Sequence, residues 1–163
     1  MDLTRNRDPV SQVLSEAKIG RAEVFAIIDL RHKVLRQGHP IEEVQFEEDK
    51  DELSRHYAAV YQDKCIACVT FIDAQWQQQP AWRLRAMAVE KQYRGIGIGK
   101  ALLKFALNDL LNNNLMKTIW CYSRVSSEPF YLSFGFVSTG EHFTYGNAGE
   151  SIEMVLKSSE NLI

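Results

Sequence analysis

Residues 87–103 read MAVEKQYRGIGIGKALL. Upstream, AWRLRAMAVE over 81–90 alternates, with Trp82, Leu84, Ala86 and Ala88 on one parity and Arg83, Arg85, Met87 and Val89 on the other. That pattern suits a strand with one mixed face. Downstream, Leu103, Leu107 and Leu110 keep helical spacing, as do Ile98, Leu102 and Phe105. Gly95, Gly97 and Gly99 lie between the two patterns. A strand entering a glycine-rich loop and then a helix builds an anion site. The first helical N–H groups have no partner, the helix dipole favours negative charge there, and glycine lets backbone approach a phosphate.

Two common phosphate loops are excluded. The pattern G-x-x-x-x-G-K-[ST] would need glycine at 94 and Ser or Thr at 101, where the chain has Arg94 and Ala101. The dinucleotide pattern G-x-G-x-x-G fails from Gly95, because position 100 is Lys100, and from Gly97, because position 102 is Leu102.

What remains is Arg94-Gly95-Ile96-Gly97-Ile98-Gly99, which resembles the [RQ]-x-x-G-x-[GA] pyrophosphate loop of the GNAT N-acetyltransferases. MAVEKQYRGIGIGKALL is similar to that family's motif A in full. Glu128-Pro129-Phe130-Tyr131-Leu132-Ser133-Phe134-Gly135-Phe136 is similar to its motif B, F/L-Y-x-x-x-G-F, at a separation that also matches. The strong likeness covers 81–136, about a third of the chain. LRHKVLRQGHP further resembles the amino-terminal helix of a small GNAT subgroup.

The resemblance implies acetyl-CoA as co-substrate, lying where strand 81–90 splays from strand 117–123. It implies that the backbone of Met87, Ala88 and Val89 pairs with the pantetheine arm as an added strand would. It also implies that the N–H groups from Arg94 through Gly95, Ile96, Gly97, Ile98 and Gly99 to Lys100 hold the pyrophosphate, with charge from Arg94 and a possible contribution from Lys100 and Lys104. Tyr131 takes the motif B position that protonates the leaving thiolate in many relatives. The Val89 N–H is placed to polarise the thioester oxygen. Many relatives carry Asn seven residues before that tyrosine; here it is Arg124, and Ser126 or Ser127 either substitutes for it or caps the short helix that follows. The general base stays open among Glu141, His142, Glu150, the acids of 42–52 and a water chain.

The remaining chain is read from its residues. Apolar positions from Ala22 to Leu35 fit a helix with Arg31, His32 and Lys33 outward, stopped by Gly38-His39-Pro40. Strands are expected at His56–Tyr61 and Lys64–Ile72 around a Gln62-Asp63 turn, and a loop at 73–80. Asn112, Asn113 and Asn114 suit the helix end, since Asn tolerates the left-handed cap. A strand at 117–123, a short helix at 126–134 and strands at 136–145 and 150–157 across a 146–149 turn complete the order. Residues 1–10 are expected to be loose. The fold class is α/β (α+β). By the resemblance it is a mixed, mostly antiparallel sheet of about six to seven strands with about four helices, and one domain spans 1–163.

Composition narrows the function. With 45% hydrophobic and 25% charged residues, the chain is neither disordered, collagenous nor a coiled coil. A net charge of −2 argues against nucleic acid as partner. Residues 41–52 carry −6, leaving +4 elsewhere; they form a solvated face or attract a cationic substrate. Cys65, Cys68 and Cys121 are an odd set, as in a reducing cytoplasm. Cys65 and Cys68 sit three apart in an apolar run, on opposite strand faces, and read as filler. His32, His39 and His56 lack ligand spacing, so no metal is expected. No run is long enough to span a membrane.

The expected activity is direct transfer of acetyl from acetyl-CoA to a primary amine of a small molecule or peptide, by a monomer or homodimer. The alternative is a catalytically weak acyl-CoA-binding or interaction module.

Overall fold

In the computed structural model the described residues are 8–146 and 149–158. Among these residues four α-helices are formed: α1 (Pro9–Glu16), α2 (Ile28–Leu35), α3 (Ile98–Asn112) and α4 (Glu128–Leu132). Eight strands accompany them: β1 (Lys18–Ala22), β2 (Arg55–Tyr61), β3 (Lys64–Trp76), β4 (Gln79–Val89), β5 (Thr118–Arg124), β6 (Val137–Ser138), β7 (Phe143–Thr144) and β8 (Glu150–Leu156). The chain condenses into two compact units, and β3, β4 and α3 give part of their length to each.

The first unit draws on the chain up to Phe46, on His56–Val69 and on Ala86–Ala106. Its strand order is β1-β2-β3-β4. β1 pairs antiparallel with β2, from Lys18 against Val60 to Ala22 against His56. This pairing corrects the expected helix from Ala22: the segment begins as an edge strand, passes a 3₁₀ turn at Val24–Ala26, and becomes helical only at Ile28. Non-local pairing with β2 outweighs the local helical spacing. Ile27 and Leu30 pack on Ala58, Cys68 and Ala88 as this unit's core. Each buried Leu or Ile contributes roughly 1.5–3 kcal/mol.

Arg31 corrects a second expectation. It is fully buried, not outward. Its Nη1 donates to the Val44 carbonyl at 3.0 Å, and its guanidinium lies 4.5 Å over the Phe46 ring centroid. The residues expected to be loose include the start of α1. Asp8 caps it, its carboxylate accepting from the Ser11 N–H at 3.1 Å, with Pro9 next. Those are standard start signals.

The second unit draws on Glu47–Arg55, Thr70–Arg85 and the chain from Leu107. Its order is β3-β4-β5-β8-β6, with β7 on β8. Residues 73–80 are a hairpin, not a loop. Gln77 and Gln78 have φ of 50° and 66°, the two-residue turn whose twist matches paired strands. Gln62 and Asp63, at 50° and 61°, make the expected tight turn in the first unit. α3 ends on Asn114 at φ 56°, with the Leu115 N–H bonded to the Leu110 carbonyl at 2.8 Å. That is the left-handed cap the asparagines suggest.

β4 and β5 are parallel, from Ala81 against Thr118 to Arg83 against Trp120. β5 then pairs antiparallel with β8 along its whole length, Thr118 excepted. The single strand expected at 136–145 is two short ones, broken around Gly140. The 146–149 turn has its central residues outside the described set. Among the described residues no helix is long and apolar enough to cross a membrane.

Candidate active site

The glycine loop belongs to the first unit. After Val89 the chain makes a 3₁₀ turn at Lys91–Tyr93 and extends at Arg94 (φ −74°, ψ 152°). Gly95 and Gly97 take φ of 77° and 96°. Only glycine reaches such angles without strain. The first helical bond of α3 runs from the Ala101 N–H to the Gly97 carbonyl, at 3.0 Å. The N–H groups from Gly95 to Lys100 donate to no protein acceptor among the described residues. A Cβ built on Gly95 or Gly97 would meet nothing within 4 Å. Thus a run of unpartnered donors sits at a helix N-terminus, with open space at the Cβ positions of Gly95 and Gly97, and such a terminus suits a phosphate. Lys100 and Lys104 are exposed on the same helix.

Arg94 is exposed, and its Nε donates to the Val89 carbonyl at 3.0 Å. The guanidinium therefore braces the strand end and leaves its terminal N–H groups for an anion. Sequence reasoning missed this brace, which also commits the Val89 carbonyl. The next residue is anchored as well. The Glu90 N–H donates to the Ile66 carbonyl at 2.8 Å, and its carboxylate pairs with Lys33 of α2. Ala86 has φ 53° inside β4. A left-handed alanine in a strand is strained, and such positions interrupt the pleat as a bulge does. Cys68 Sγ donates weakly to its carbonyl, at 3.7 Å. Met87 and Val89 remain partly exposed; Ala88 is buried.

Cys65 and Cys68 lie against the same cluster of buried residues, so they share a face, contrary to the expectation from strand alternation. The alternation is broken between them. Their mutual hydrogen bond lowers the Cys65 thiol and, with burial, pushes Cys68 well up.

Tyr131 belongs to the second unit. α4 ends in a turn that returns the Phe136 N–H to the Tyr131 carbonyl at 3.2 Å. Gly135 permits it at φ 89°, where a Cβ would come within 3.6 Å of Leu156 Cδ1. This is the physical content of G-F in the motif. The Tyr131 ring is wedged between Phe130 and Phe136, with centroids at 5.1 and 5.4 Å. Burial holds its hydroxyl well above the usual tyrosine range. A phenol so placed is fully protonated at neutral pH. The Ser127 side chain at the N-cap makes no capping bond. His142 Nδ1 and Glu150 Oε1 lie 3.0 Å apart, an exposed pair among the candidates for general base. In the acidic stretch, Glu43 lies beside Arg36 and His39, and Glu47 beside Lys50, so part of its charge is neutralised locally.

Cys121 is buried beside Tyr131, and burial pushes its thiol up to about 12 despite the Arg83 charge. It is no nucleophile at neutral pH. Both groups ionise more easily in the unfolded chain than in the fold. Stability present below about pH 9 is therefore lost as pH rises toward 12, at up to about 1.4 kcal/mol per pH unit for each group. Thermal melts are expected to be flat from about pH 7 to 8.5 and to fall above that, with Cys121→Val flattening the slope between about pH 9 and 10. A slope unchanged in that variant would show that Cys121 is not its source.

Residues 31–157 match the family model for the acetyltransferase (GNAT) domain. A Bacillus subtilis (strain 168) relative, the uncharacterized N-acetyltransferase YitI, is 31% identical over 132 residues, covering 77% of this chain and 86% of that one. Among solved structures, Escherichia coli ElaA superposes with a TM-score of 0.72 at 19% identity, over 85% of this chain and 98% of the other. A GNAT family acetyltransferase from Elizabethkingia anophelis, with acetyl-CoA bound, gives 0.63 at 18% identity, over 88% and 99%.

Proposed function

This chain belongs to the GNAT family of N-acetyltransferases, and from that premise we propose that it passes the acetyl group of acetyl-CoA directly to a primary amine of a small molecule or peptide, with no covalent enzyme intermediate. The observation that carries this reading is the run of unpartnered N–H groups from Gly95 to Lys100 at the N-terminus of α3. In the proposal these groups and the terminal N–H groups of Arg94 hold the pyrophosphate, and Lys100 adds charge. The backbone of Met87, Ala88 and Val89 orients the pantetheine arm. The bound thioester supplies an acyl group already activated for attack by a neutral amine.

Tyr131 is assigned to the leaving sulfur. A thiol titrates near 8.5 and this phenol lies well above 10. Full transfer to a free thiolate would run uphill. Tyr131 therefore acts by donating a hydrogen bond to the sulfur as negative charge builds there, and keeps its proton; the proton shed by the acetylated amine, passed through the base or water, balances the departing thiolate. The Val89 N–H polarises the carbonyl in the same step. Cys121, a neutral buried thiol, takes no covalent part.

The test is isothermal titration with acetyl-CoA, free CoA as comparator. Micromolar binding is expected, weakened about 10- to 100-fold by Arg94→Glu, which replaces charge-assisted bonds by repulsion. No heat at high protein concentration, with an unshifted melting temperature, would refute the reading.

A further inference from the structure

One face of the second unit carries a cluster that this chemistry does not use. Along β5, Ile119, Cys121 and Ser123 are buried, while Trp120 and Tyr122 point to the other face. The register puts Glu153 beside Tyr122, and Arg83 beside Trp120. The Arg83 guanidinium lies 4.9 Å from the Trp120 ring centroid, 5.3 Å from Tyr122 and 6.0 Å from Tyr145. Its Nη2 donates to the Tyr145 hydroxyl at 3.1 Å. Phe143 supports the cage edge-on at 5.0 Å from Tyr122.

The Arg83 guanidinium has no carboxylate paired with it among the described residues. Arg36 and Arg55 each have a carboxylate, Glu43 at 3.6 Å and Asp109 at 3.8 Å. Among the described residues the buried Nε of Arg83 also has no acceptor. Glu153 shares the face, yet its Oε1 accepts from Thr139 Oγ1 at 2.5 Å and Trp76 Nε1 at 3.4 Å. Aromatic faces stabilise a guanidinium from above and below. The rings accept nothing in the plane of its fork; there the Tyr145 hydroxyl takes one Nη2 hydrogen, and Nη1 keeps its donors for a carboxylate. Tyr122 and Tyr145 are 37% and 39% exposed, so the cage opens to water. A single planar fork suits a planar carboxylate; phosphate sites gather several cations or a helix N-terminus.

We propose that Arg83 and its aromatic cage hold the carboxylate of the acetyl acceptor, so that the substrate is an amine bearing a carboxylate, an amino acid with an apolar or aromatic side chain resting on Tyr122 and Tyr145. The inference rests on the acetyltransferase reading for the identity of the ligand as acceptor, not for its binding. The acidic stretch, whose Glu43 lies beside Arg36, argues little for a cationic substrate.

Two measurements test it. The first titrates the full chain calorimetrically with N-acetyl-L-phenylalanine and with its amide, neither of which can be acetylated. The acid is expected to bind about 10- to 100-fold more tightly than the amide, and Arg83→Gln to erase the difference. The exposed Tyr145→Phe, which removes only the hydroxyl that positions Nη2, should narrow the difference about 3-fold without risk to folding. Equal binding of acid and amide, no binding of either, or a preference surviving in folded Arg83→Gln would overturn the proposal. The second measurement compares kcat/KM for L-phenylalanine and 2-phenylethylamine. The expected preference for the amino acid resides in KM and disappears in Arg83→Gln. Acid-selective binding without acetylation of any amine would leave the subsite standing and refute the transfer reading. Acetylation indifferent to the carboxylate would do the reverse.

Discussion

Gly97→Val is expected to abolish acetyl-CoA binding, by more than about 100-fold, while the protein remains folded. Gly97 has φ 96°. A β-branched residue there costs roughly 1–3 kcal/mol of strain, and the loop relieves it by rotating the backbone. Rotation turns the N–H groups that precede α3 away from a common focus. Each charge-assisted bond lost weakens binding by about 1.5–3 kcal/mol, so the loss of two is enough for the stated effect. The control is Gly38→Val. Gly38 has φ 83° and the same open space around its Cβ position, but lies outside the loop. It should lower the melting temperature by a similar amount and leave the titration with acetyl-CoA unchanged. Equal loss of binding in both variants would mean that general destabilisation, not loop geometry, is being measured.

Tyr131→Phe should lower kcat by about 100- to 1,000-fold with the affinity for acetyl-CoA unaltered, the range expected for losing a positioned hydrogen-bond donor. Two features of the structure sharpen this. The ring is held by Phe130 and Phe136, so phenylalanine keeps the packing. No hydrogen bond of the hydroxyl to another described residue is formed, so its removal orphans no partner and should shift stability little. Wild-type kcat should also hold its plateau beyond pH 10, because burial keeps the phenol protonated there. Measured turnover within about 3-fold of wild type would assign Tyr131 to packing alone and move that hydrogen bond to water.

Much of the candidate site's backbone was legible because its geometry is local. A glycine loop between a strand and a helix needs φ values that only glycine adopts freely, and the run from Arg94 to Gly99 states that need in consecutive residues. The turn after Tyr131 needs Gly135 for the same reason. The asparagine cap of α3 and the Gln62-Asp63 turn are local in the same sense. The aromatic cage was not legible. Arg83, Trp120, Tyr122 and Tyr145 come from three separate segments, and only the register of β4 on β5 brings the arginine over the rings.

The same division runs through the fold. Sequence alone determined the parallel strand–loop–helix–strand core and the family, since hydrophobic period and backbone conformation depend on neighbours a few residues away. Tertiary structure decided what Ala22, Arg31 and the two cysteines of β3 do. Ala22 is a strand end because β2 offers it a backbone partner. Arg31 is buried because Val44 and Phe46 return to receive its charge. Cys65 joins Cys68 on one face because β3 breaks its alternation between them. In each case the deciding partner lies far along the chain or depends on the backbone path, and neither is written in the local pattern.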